Sequence, residues 1–471
     1  MKKNNKITNL AITILALAIS PIFGIGMMGT NVLEYRNATE GHSYFEDRAD
    51  FIIHHDNIEA GGRILLQQPS RLNSENRDTV YKGIDHRYLR YKTDNFSVTA
   101  GTFYETFGRG LTLDLLEDRR LVVDHRLDGA KFSFDVPYVS GKAVHGLSDW
   151  DRGTKLQGFE LVAKPPYSEI GASYIDYFDE LRPRINAYSV FAGVNFGIGN
   201  LYGEFSEKHI VGTGEDGRAL YGSADIFLAG YSFLIEYKNY LDYNMRGNLK
   251  YYNNPPTCMR EPSYTLQSRS VHQQDPGNEQ GLQLTHFGSY PLDIDLEFSA
   301  AMIMKAEIED GEFGDYLDES YMEIYADFYR EWDMLGQHLI LQYQKDKLTH
   351  DEQRITAIAN GYFLFDYIHN IQWDIEFQLE MPDEGDSQNH FMLGLEGILI
   401  EDLSLGTELV MLGQEDAYDV SPWAFISCDL LEGHSIMLGY GRRAGGYTCA
   451  GGFCRYEQPF EGFELSIISS F

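Results

Sequence analysis

Apolar and polar side chains alternate with a period of two in segments spread along the chain. In NIQWDIEFQLEM, residues 370–381, one face would carry Ile371, Trp373, Ile375, Phe377, Leu379 and Met381, and the other Gln372, Asp374, Glu376, Gln378 and Glu380. The same alternation recurs at 292–299, 335–347, 386–399, 402–412 and 432–443. Because successive side chains of a strand point to opposite faces, each segment predicts a β-strand with one apolar face.

A soluble β-sandwich would alternate in the same way, so strand length decides between the two folds. These segments run to roughly 10–13 residues, whereas strands of globular sheets most often have about 5–6. A tilted strand needs about 9–11 residues to cross the hydrocarbon core of a bilayer. The pattern predicts an all-β fold, a closed antiparallel transmembrane β-barrel of about 22 strands, with about 18 to 24 as the expected range.

Both ends of the chain agree with this fold. The ending EGFELSIISSF places Phe463, Leu465, Ile467 and Phe471 on one face. This resembles the C-terminal signal that the barrel-assembly machinery reads, and pairing of the last strand with the first would leave no sheet edge. At the other end, MKKNNK and the apolar run that follows predict a cleaved signal peptide over residues 1–26, with a membrane anchor as the alternative.

The expected organisation is therefore a signal peptide (1–26), an N-terminal segment leading into the barrel (27–57), and the barrel itself (58–471) with a long loop at 240–280. The predicted location is the outer membrane of a Gram-negative envelope, in contact with outer-membrane lipid and lipopolysaccharide. Short turns such as 430–433, 197–200 and 289–291 alternate with longer polar connections at 68–78, 209–216, 305–318 and 444–458. The long connections are expected outside the cell.

Composition narrows the function further. The chain has 71 Asp and Glu against 38 Lys and Arg, a formal net charge of -33, and 32 Tyr with 28 Phe. A barrel accommodates these charges in its lumen and loops, and the aromatic residues suit its interfacial girdles. Nucleic-acid binding is excluded because phosphate contacts need Lys and Arg. No cofactor is expected.

Three stretches exceed what a barrel needs: 100–121, 240–280 and 441–457. Within them FYETFGRGL (103–111), YNNPPT (252–257) with SRSVHQQDPGNEQG (268–281), and CAGGFCR (449–455) together resemble a family of bacterial outer-membrane barrels known only as a domain of unknown function. The resemblance covers nearly the whole mature chain and implies fold and location. It carries no established activity, so no catalytic residue is transferred.

The long segment 240–280 either folds into the lumen, which we favour, or forms a surface loop. Its candidate lumen residues are Arg260, Arg269, His272, Asp275 and Glu279; a metal site is disfavoured because Pro276-Gly277 breaks any helical face. Cys449 and Cys454 lie in an oxidising compartment and predict a disulfide rather than a zinc or redox pair. The pairing of Cys258 and Cys428 stays open.

Charge distribution gives the best indication of function. Acidic residues Asp293, Asp295, Glu297, Asp374 and Glu376 follow the polar faces of the second half, with Glu380, Glu396 and Glu408, whereas Arg109, Arg119 and Arg120 lie in the first half with Arg126 and Lys131. An acidic wall opposite a basic wall would select small polar solutes by their charge. Alternatively, these charges only pair with one another.

Three functions remain open. The favoured one is a channel or porin-like pore for small polar solutes, narrowed by an inserted loop. The alternative is a structural or accessory barrel for surface-polymer attachment or secretion. An outer-membrane enzyme is the least favoured, since Ser270 beside His272 is its only hint. The sequence does not determine the oligomeric state.

Overall fold

A closed antiparallel barrel of 24 strands forms the wall of the molecule. The computed structural model describes residues 26–40, 43–69, 80–148, 153–179, 182–245, 252–307, 318–365, 370–400, 402–414, 417–450 and 453–471. Residues 1–25, which hold most of the predicted signal peptide, lie outside the described ranges. The all-β closed barrel is confirmed, and its strand number is 24 rather than about 22.

The strands are β1 (Gly26–Glu40), β2 (Tyr44–His55), β3 (Ile58–Gln68), β4 (Tyr81–Lys92), β5 (Phe96–Phe103), β6 (Glu105–Phe107), β7 (Leu113–Leu115), β8 (Glu117–Asp118), β9 (Val123–Asp124), β10 (Leu127–Val136), β11 (Val139–Ser148), β12 (Thr154–Ala163), β13 (Ser168–Asp179), β14 (Arg182–Asn195), β15 (Gly199–Ile210), β16 (Asp216–Leu228), β17 (Tyr231–Leu241), β18 (Asn278–Tyr290), β19 (Ile294–Met304), β20 (Ser320–Trp332), β21 (Leu335–Asp346), β22 (Glu352–Leu364), β23 (Asn370–Pro382), β24 (Gln388–Ile400), β25 (Leu403–Gly413), β26 (Tyr418–Leu431), β27 (His434–Arg443), β28 (Gly446–Ala450), β29 (Phe453–Glu457) and β30 (Phe460–Ser470). A 3-10 turn spans Gln267–Arg269. The wall consists of β1–β5, β10–β27 and β30, whereas β6–β9, β28 and β29 form three small two-stranded sheets.

The barrel closes where the last strand pairs with the first. β30 runs antiparallel to β1 from Thr30 opposite Ser470 to Glu40 opposite Glu461. The segment expected only to lead into the barrel forms β1 and β2, so the wall begins at Gly26 rather than near residue 58. These two strands account for the difference between 22 and 24.

Alternation along each strand separates a lumen face from a lipid face. On β23, Glu376 and Gln378 are 1% and 0% exposed, whereas Ile375 between the polar positions is 49% exposed. Large apolar side chains are likewise exposed at alternate positions of the neighbouring strands, including Leu393, Leu395 and Leu405. Without lipid present, exposure of large apolar residues on one face of every strand is the expected surface of a membrane barrel.

The two ends of the barrel differ in the length of their connections. The start of β1 at Gly26, the C-terminal Phe471 and short turns such as 56–57, 137–138 and 432–433 lie at one end, which we call the turn end. The longer connections, among them 69–80, 305–319 and 444–459, lie at the opposite, loop end, as the sequence predicted. Which end faces the outside of the cell stays a prediction. No described helix is long and apolar enough to cross a membrane.

Phe471 joins the closing strand to β1 and provides a test of the assembly signal. Its N–H donates to Gly29 O at 2.9 Å and its carbonyl accepts from Gly29 N at 2.8 Å. We expect Phe471→Ser to lower the amount of assembled, heat-modifiable barrel severalfold, because the terminal ring is lost from the lipid face. Ile468→Ser is the matched control, since Ile468 lies on the opposite face of β30. Equal, wild-type levels of both variants in the membrane fraction would contradict the predicted role of Phe471.

Candidate functional site

Three segments leave the wall at the loop end and pack inside the barrel. The first insert is 104–126 between β5 and β10, the second insert is 242–277 between β17 and β18, and the third insert is 444–459 between β27 and β30. They coincide with the three stretches that the sequence singled out. Residues 246–251 of the second insert and 451–452 of the third lie outside the described ranges.

The first insert is held by an apolar cluster and by two acceptors on the wall. Leu111 and Leu113 are fully buried in a cluster that includes Tyr177 and Tyr240 of the wall. At the FGRG turn, Gly108 N donates to Glu160 Oε2 at 2.6 Å, and Arg109 N donates to Glu204 Oε2 at 2.9 Å. Because Gly108 has a φ of +52° and a Cβ there would lie 2.6 Å from the Glu204 carboxylate, the turn requires glycine.

The other end of the first insert forms ion pairs with strands near the closing seam. Arg126 pairs with Asp85 of β4 at 2.7 Å, both nearly inaccessible, and Arg119 pairs with Glu46 of β2. Glu117 accepts from Arg63 of β3 at 2.6 Å. Burial raises the pKa of Glu117, but the guanidinium groups of Arg63 and then Arg119 outweigh it and lower this pKa to about 2. These cations neutralise nearby acids instead of forming an uncompensated basic wall.

The second insert enters and leaves the lumen through a short neck. Asp242 N and Tyr243 N donate to the carbonyls of Gly277 and Pro276. Next to the neck, Lys238 of β17 pairs with Glu279 of β18, and the two side chains are 0% and 2% exposed. His272 Nε2 lies 3.2 Å from Glu279 Oε2, so a residue of the insert completes this buried group.

The second insert then crosses to the wall around β23. Thr265 N and Leu266 N donate to Glu376 at 3.0 and 2.7 Å, and Gln378 Nε2 donates to Leu266 O at 3.0 Å. The Leu266 side chain is fully buried against Met392 and Val410 of β24 and β25. The favoured expectation that this segment folds into the lumen therefore agrees with its position in the structure.

Two arginines of the second insert also contact the wall. Arg260 pairs with Glu297 at 3.0 Å, and its guanidinium carbon lies 3.3 Å from the centre of the Tyr325 ring. Arg269 lies 3.8 Å from Glu380. A cation close to a ring face is stabilised by the ring quadrupole, so both charge and packing hold this part of the insert.

The third insert is a hairpin of β28 and β29 that covers the other two. The predicted disulfide is present: Cys449 is bonded to Cys454 across the hairpin. Arg455 Nε donates to Arg120 O of the first insert at 3.0 Å, and Gly446 lies close to Ser268 of the second. Its last strand reaches the closing seam, where Glu457 pairs with Arg36 of β1 at 2.9 Å.

The two remaining cysteines are both free. Cys258 is buried in the second insert, whereas Cys428 is opposite Leu403 near the turn end of β26. Burial raises the pKa of the Cys258 thiol to about 12, so this thiol is kept protonated and unreactive.

Two of the predicted lumen residues lie elsewhere. Asp293 belongs to the turn before β19, with a φ of 55°, because the strand begins two residues later than the alternation suggested. Arg120 is 67% exposed beside Asp118 at the rim of the first insert.

Asp275 caps the neck: its backbone N–H donates to Glu279 and its carboxylate accepts from Gly277 N. The guanidinium of Arg109 lies over the Tyr202 ring at 5.0 Å.

Two adjoining cavities open beneath the inserts toward the turn end. The first, about 600 Å³, is lined by β20–β26 with Tyr264 of the second insert as its roof. The second, about 630 Å³, shares Tyr329 and His338 with the first and continues past Asp295 and Glu297. Among the described residues, no three His, Cys, Asp or Glu side chains come together in a way that could hold a metal ion.

The carboxylates of the two cavities differ in how they are neutralised. In the second cavity Glu297 pairs with Arg260 and Asp327 lies 3.0 Å from His338 Nδ1. In the first cavity, by contrast, no ion pair or hydrogen bond joins the carboxylates of Asp374, Glu396 or Glu408 to another described side chain. This part of the lumen therefore concentrates negative charge.

Sequence reasoning missed the aromatic and amide members of this cavity. His338, Asn360 and Phe425 line it together with Tyr329 and Tyr362. All five side chains occupy positions of their strands that face the lumen. Extending the alternation to uncharged residues would therefore have identified them. The wall residues that hold the inserts, such as Glu160 and Glu204, were missed because their partners are distant in sequence.

A model of a protein family of unknown function, DUF6029, matches residues 37–471. The chain belongs to this family. No curated protein matches the chain. The DUF6029 match spans all three inserts, and the predicted resemblance to an uncharacterised family is confirmed.

Solved structures similar to this DUF6029 barrel are other large barrels. The P pilus usher PapC translocation pore is 10% identical with a TM-score of 0.47 over 95% of this chain and 99% of that one. OccK5 (OpdH) of Pseudomonas aeruginosa is 13% identical with a TM-score of 0.40 over 76% and 98%. The siderophore receptor PirA of P. aeruginosa is 9% identical with a TM-score of 0.45 over 94% and 80%. Scores and identities this low carry no argument about function.

The buried pair beneath the second insert gives a stability prediction. In Lys238→Met, Glu279 would stay buried without its cation, and we expect a loss of about 3–5 kcal/mol in the free energy of unfolding. Replacing both residues with Met should restore much of it, because no charge is then left alone. Lys164→Met is the control, since the Lys164–Asp135 pair is solvent-exposed.

Urea unfolding in detergent micelles, followed by loss of heat-modifiable migration, measures these differences. An effect of Lys238→Met no larger than that of Lys164→Met would contradict the claim that the buried pair stabilises the folded barrel.

Proposed function

We propose that this barrel is a narrow channel in the bacterial outer membrane that admits small polar solutes and prefers cations. The observation that carries the proposal is the first cavity, where Asp374, Glu396 and Glu408 face the lumen without an ion pair or hydrogen bond to another described side chain. Carboxylates in a low-dielectric wall focus a negative potential, which attracts cations and repels anions. The mouth of this cavity is at the turn end, expected to face the periplasm.

The inserts supply the narrowing that such a channel needs. Because barrel diameter grows with strand number, 24 strands would enclose a wide hole if the lumen were empty. The first insert forms hydrogen bonds or ion pairs with β2–β4, β12 and β15. The second insert forms them with β17–β19, β22 and β23 and packs against β24 and β25, so contacts reach most of the circumference. Solutes would pass along the remaining polar seam between inserts and wall.

A structural or accessory barrel is the second candidate, and a specific observation favours it. The inserts are fastened by apolar side chains that pack with those of the wall and by buried ion pairs such as Arg126–Asp85. Such contacts suit a permanent filling as well as a constriction. Surface-polymer attachment or secretion would then depend on the loop end instead of the lumen.

An enzymatic role gains no support from the residues that suggested it. Ser270 Oγ donates to Glu352 at 3.2 Å, whereas His272 is directed to Glu279 and stacks on Tyr321. The two side chains are engaged with different partners and do not form a nucleophile and base pair.

Deletion of the second insert above its neck tests whether it narrows a channel. Removing residues 246–273 and joining Met245 to Gln274 with a short Gly-Ser linker leaves the neck bonds of Asp242 and Tyr243 in place. We expect faster sugar uptake by proteoliposomes and greater sensitivity of cells to bulky antibiotics, since the barrel lumen is widened. Heat-modifiable migration controls for an intact wall.

Unchanged uptake and unchanged antibiotic sensitivity of a folded deletion variant would contradict the channel and favour the structural alternative.

Charge selectivity is tested separately from anchoring. We expect Asp374→Asn with Glu408→Gln to reduce the ratio of lysine to glutamate uptake in proteoliposomes, because the negative potential is weakened. Glu376→Gln is the matched comparison: its carboxylate accepts from the backbone of the second insert, so its loss should loosen that insert more than it changes selectivity. An identical uptake ratio in the double variant and the wild type would rule out the cavity as the selective element.

A further inference from the structure

The first cavity has a regular floor that the sheet register creates. One row across the strands runs Asn360, Asp374, Gly394, Glu408 and Trp423, each opposite the next. The adjacent lumen row runs Tyr362, Gln372, Glu396, Gly406 and Phe425. Each row therefore has one glycine, Gly394 in the first and Gly406 in the second.

In the first row the glycine separates two carboxylates. Asp374 and Glu408 lie on β23 and β25, two strand spacings apart, which is roughly 9–10 Å between backbones. Gly394 lines the first cavity, and the atoms nearest to a Cβ there would belong to Met392 and Asp374, at 3.3 and 3.5 Å. Asp374 Oδ1 is out of contact with solvent and has no hydrogen-bond partner among the described residues.

In the second row the glycine is covered by an aromatic ring. A Cβ on Gly406 would lie 2.2 Å from the Phe425 ring, so this ring lies flat on the glycine beside Glu396. Tyr264 completes the roof, and its hydroxyl accepts from Asn360 Nδ2 at 3.0 Å. Ring faces next to carboxylates provide the surroundings that an organic cation prefers.

The surrounding charges leave this niche negative. Arg443 exerts a favourable field on Glu408, but its guanidinium pairs with Glu464 and lies over the Trp423 ring. His338 pairs with Asp327. A metal ion does not suit the niche, because no group of three ligating side chains gathers around one point in the described residues.

We infer that this cavity is a binding site for an elongated organic amine with at least two positive charges. One ammonium group would lie over Gly394 between Asp374 and Glu408, and another would lie near Glu396 against the Phe425 ring. Separate carboxylates two strands apart suit separate charges on one flexible molecule, and the cavity of about 600 Å³ admits it. The inference deepens the proposed function by naming the solute class, and relies on that function only for how the amine arrives.

Binding of spermidine to the full-length protein in detergent tests the inference without requiring conduction. Isothermal titration should show saturable binding to the wild type, and choline, with one charge, should bind more weakly. Asp374→Asn with Glu408→Gln should weaken spermidine binding by about tenfold or more, and Phe425→Leu by a smaller factor. Glu169→Gln is the matched control and should leave affinity unchanged, since Glu169 is an exposed carboxylate near the turn end of β13.

A second variant separates shape from charge. Gly394→Leu keeps every carboxylate and fills the niche, so it should also abolish saturable binding; heat-modifiable migration reports whether it folds. Equal weakening by Glu169→Gln would mean general attraction to an acidic barrel and would overturn the site, as would spermidine binding that none of the cavity variants changes, or no binding at all. Saturable, variant-sensitive binding in a protein that conducts nothing would support the site while refuting the channel.

Discussion

Every backbone polar group of a chain in hydrocarbon must be hydrogen-bonded within the protein, and this constraint determines the rest of the structure. It requires a closed sheet, which β30 achieves by pairing with β1. Closure with 24 strands encloses a lumen too wide to leave open, and the three inserts occupy it. The inserts in turn need anchors, and the lumen faces of the strands provide them as acids, bases and apolar side chains.

The pairing of charges explains why a barrel with so many acids has few that are available to solutes. Glu46, Glu160, Glu279 and Glu376 each accept from an arginine, a lysine or a backbone N–H of an insert or a neighbouring strand. The sequence left two expectations for the lumen charges: opposed walls that select solutes, or charges that only pair with one another. On the side that faces the first insert, the charges pair with one another. Uncompensated charge persists around Asp374 and Glu408, where the function we propose is centred.

The wall was predictable from the sequence, because lipid on one side and water on the other enforce strict alternation over long strands. The first two strands escaped prediction since their lipid face is partly polar: Asn31 and Asp47 lie there and form a hydrogen bond of 2.8 Å that lowers the cost. The inserts were recognised as exceptional by length and composition. Their anchors were not, because the Leu266–Glu376 contact joins residues 110 positions apart and leaves no local pattern.

Planar-bilayer recording of the purified wild-type protein tests the central claim most directly. With a potassium chloride gradient across the bilayer, we expect discrete single-channel steps far smaller than those of an empty 24-stranded barrel. The sign of the reversal potential should show that potassium permeates more readily than chloride. A folded, heat-modifiable protein that inserts without conducting, or that conducts anions in preference, would contradict it.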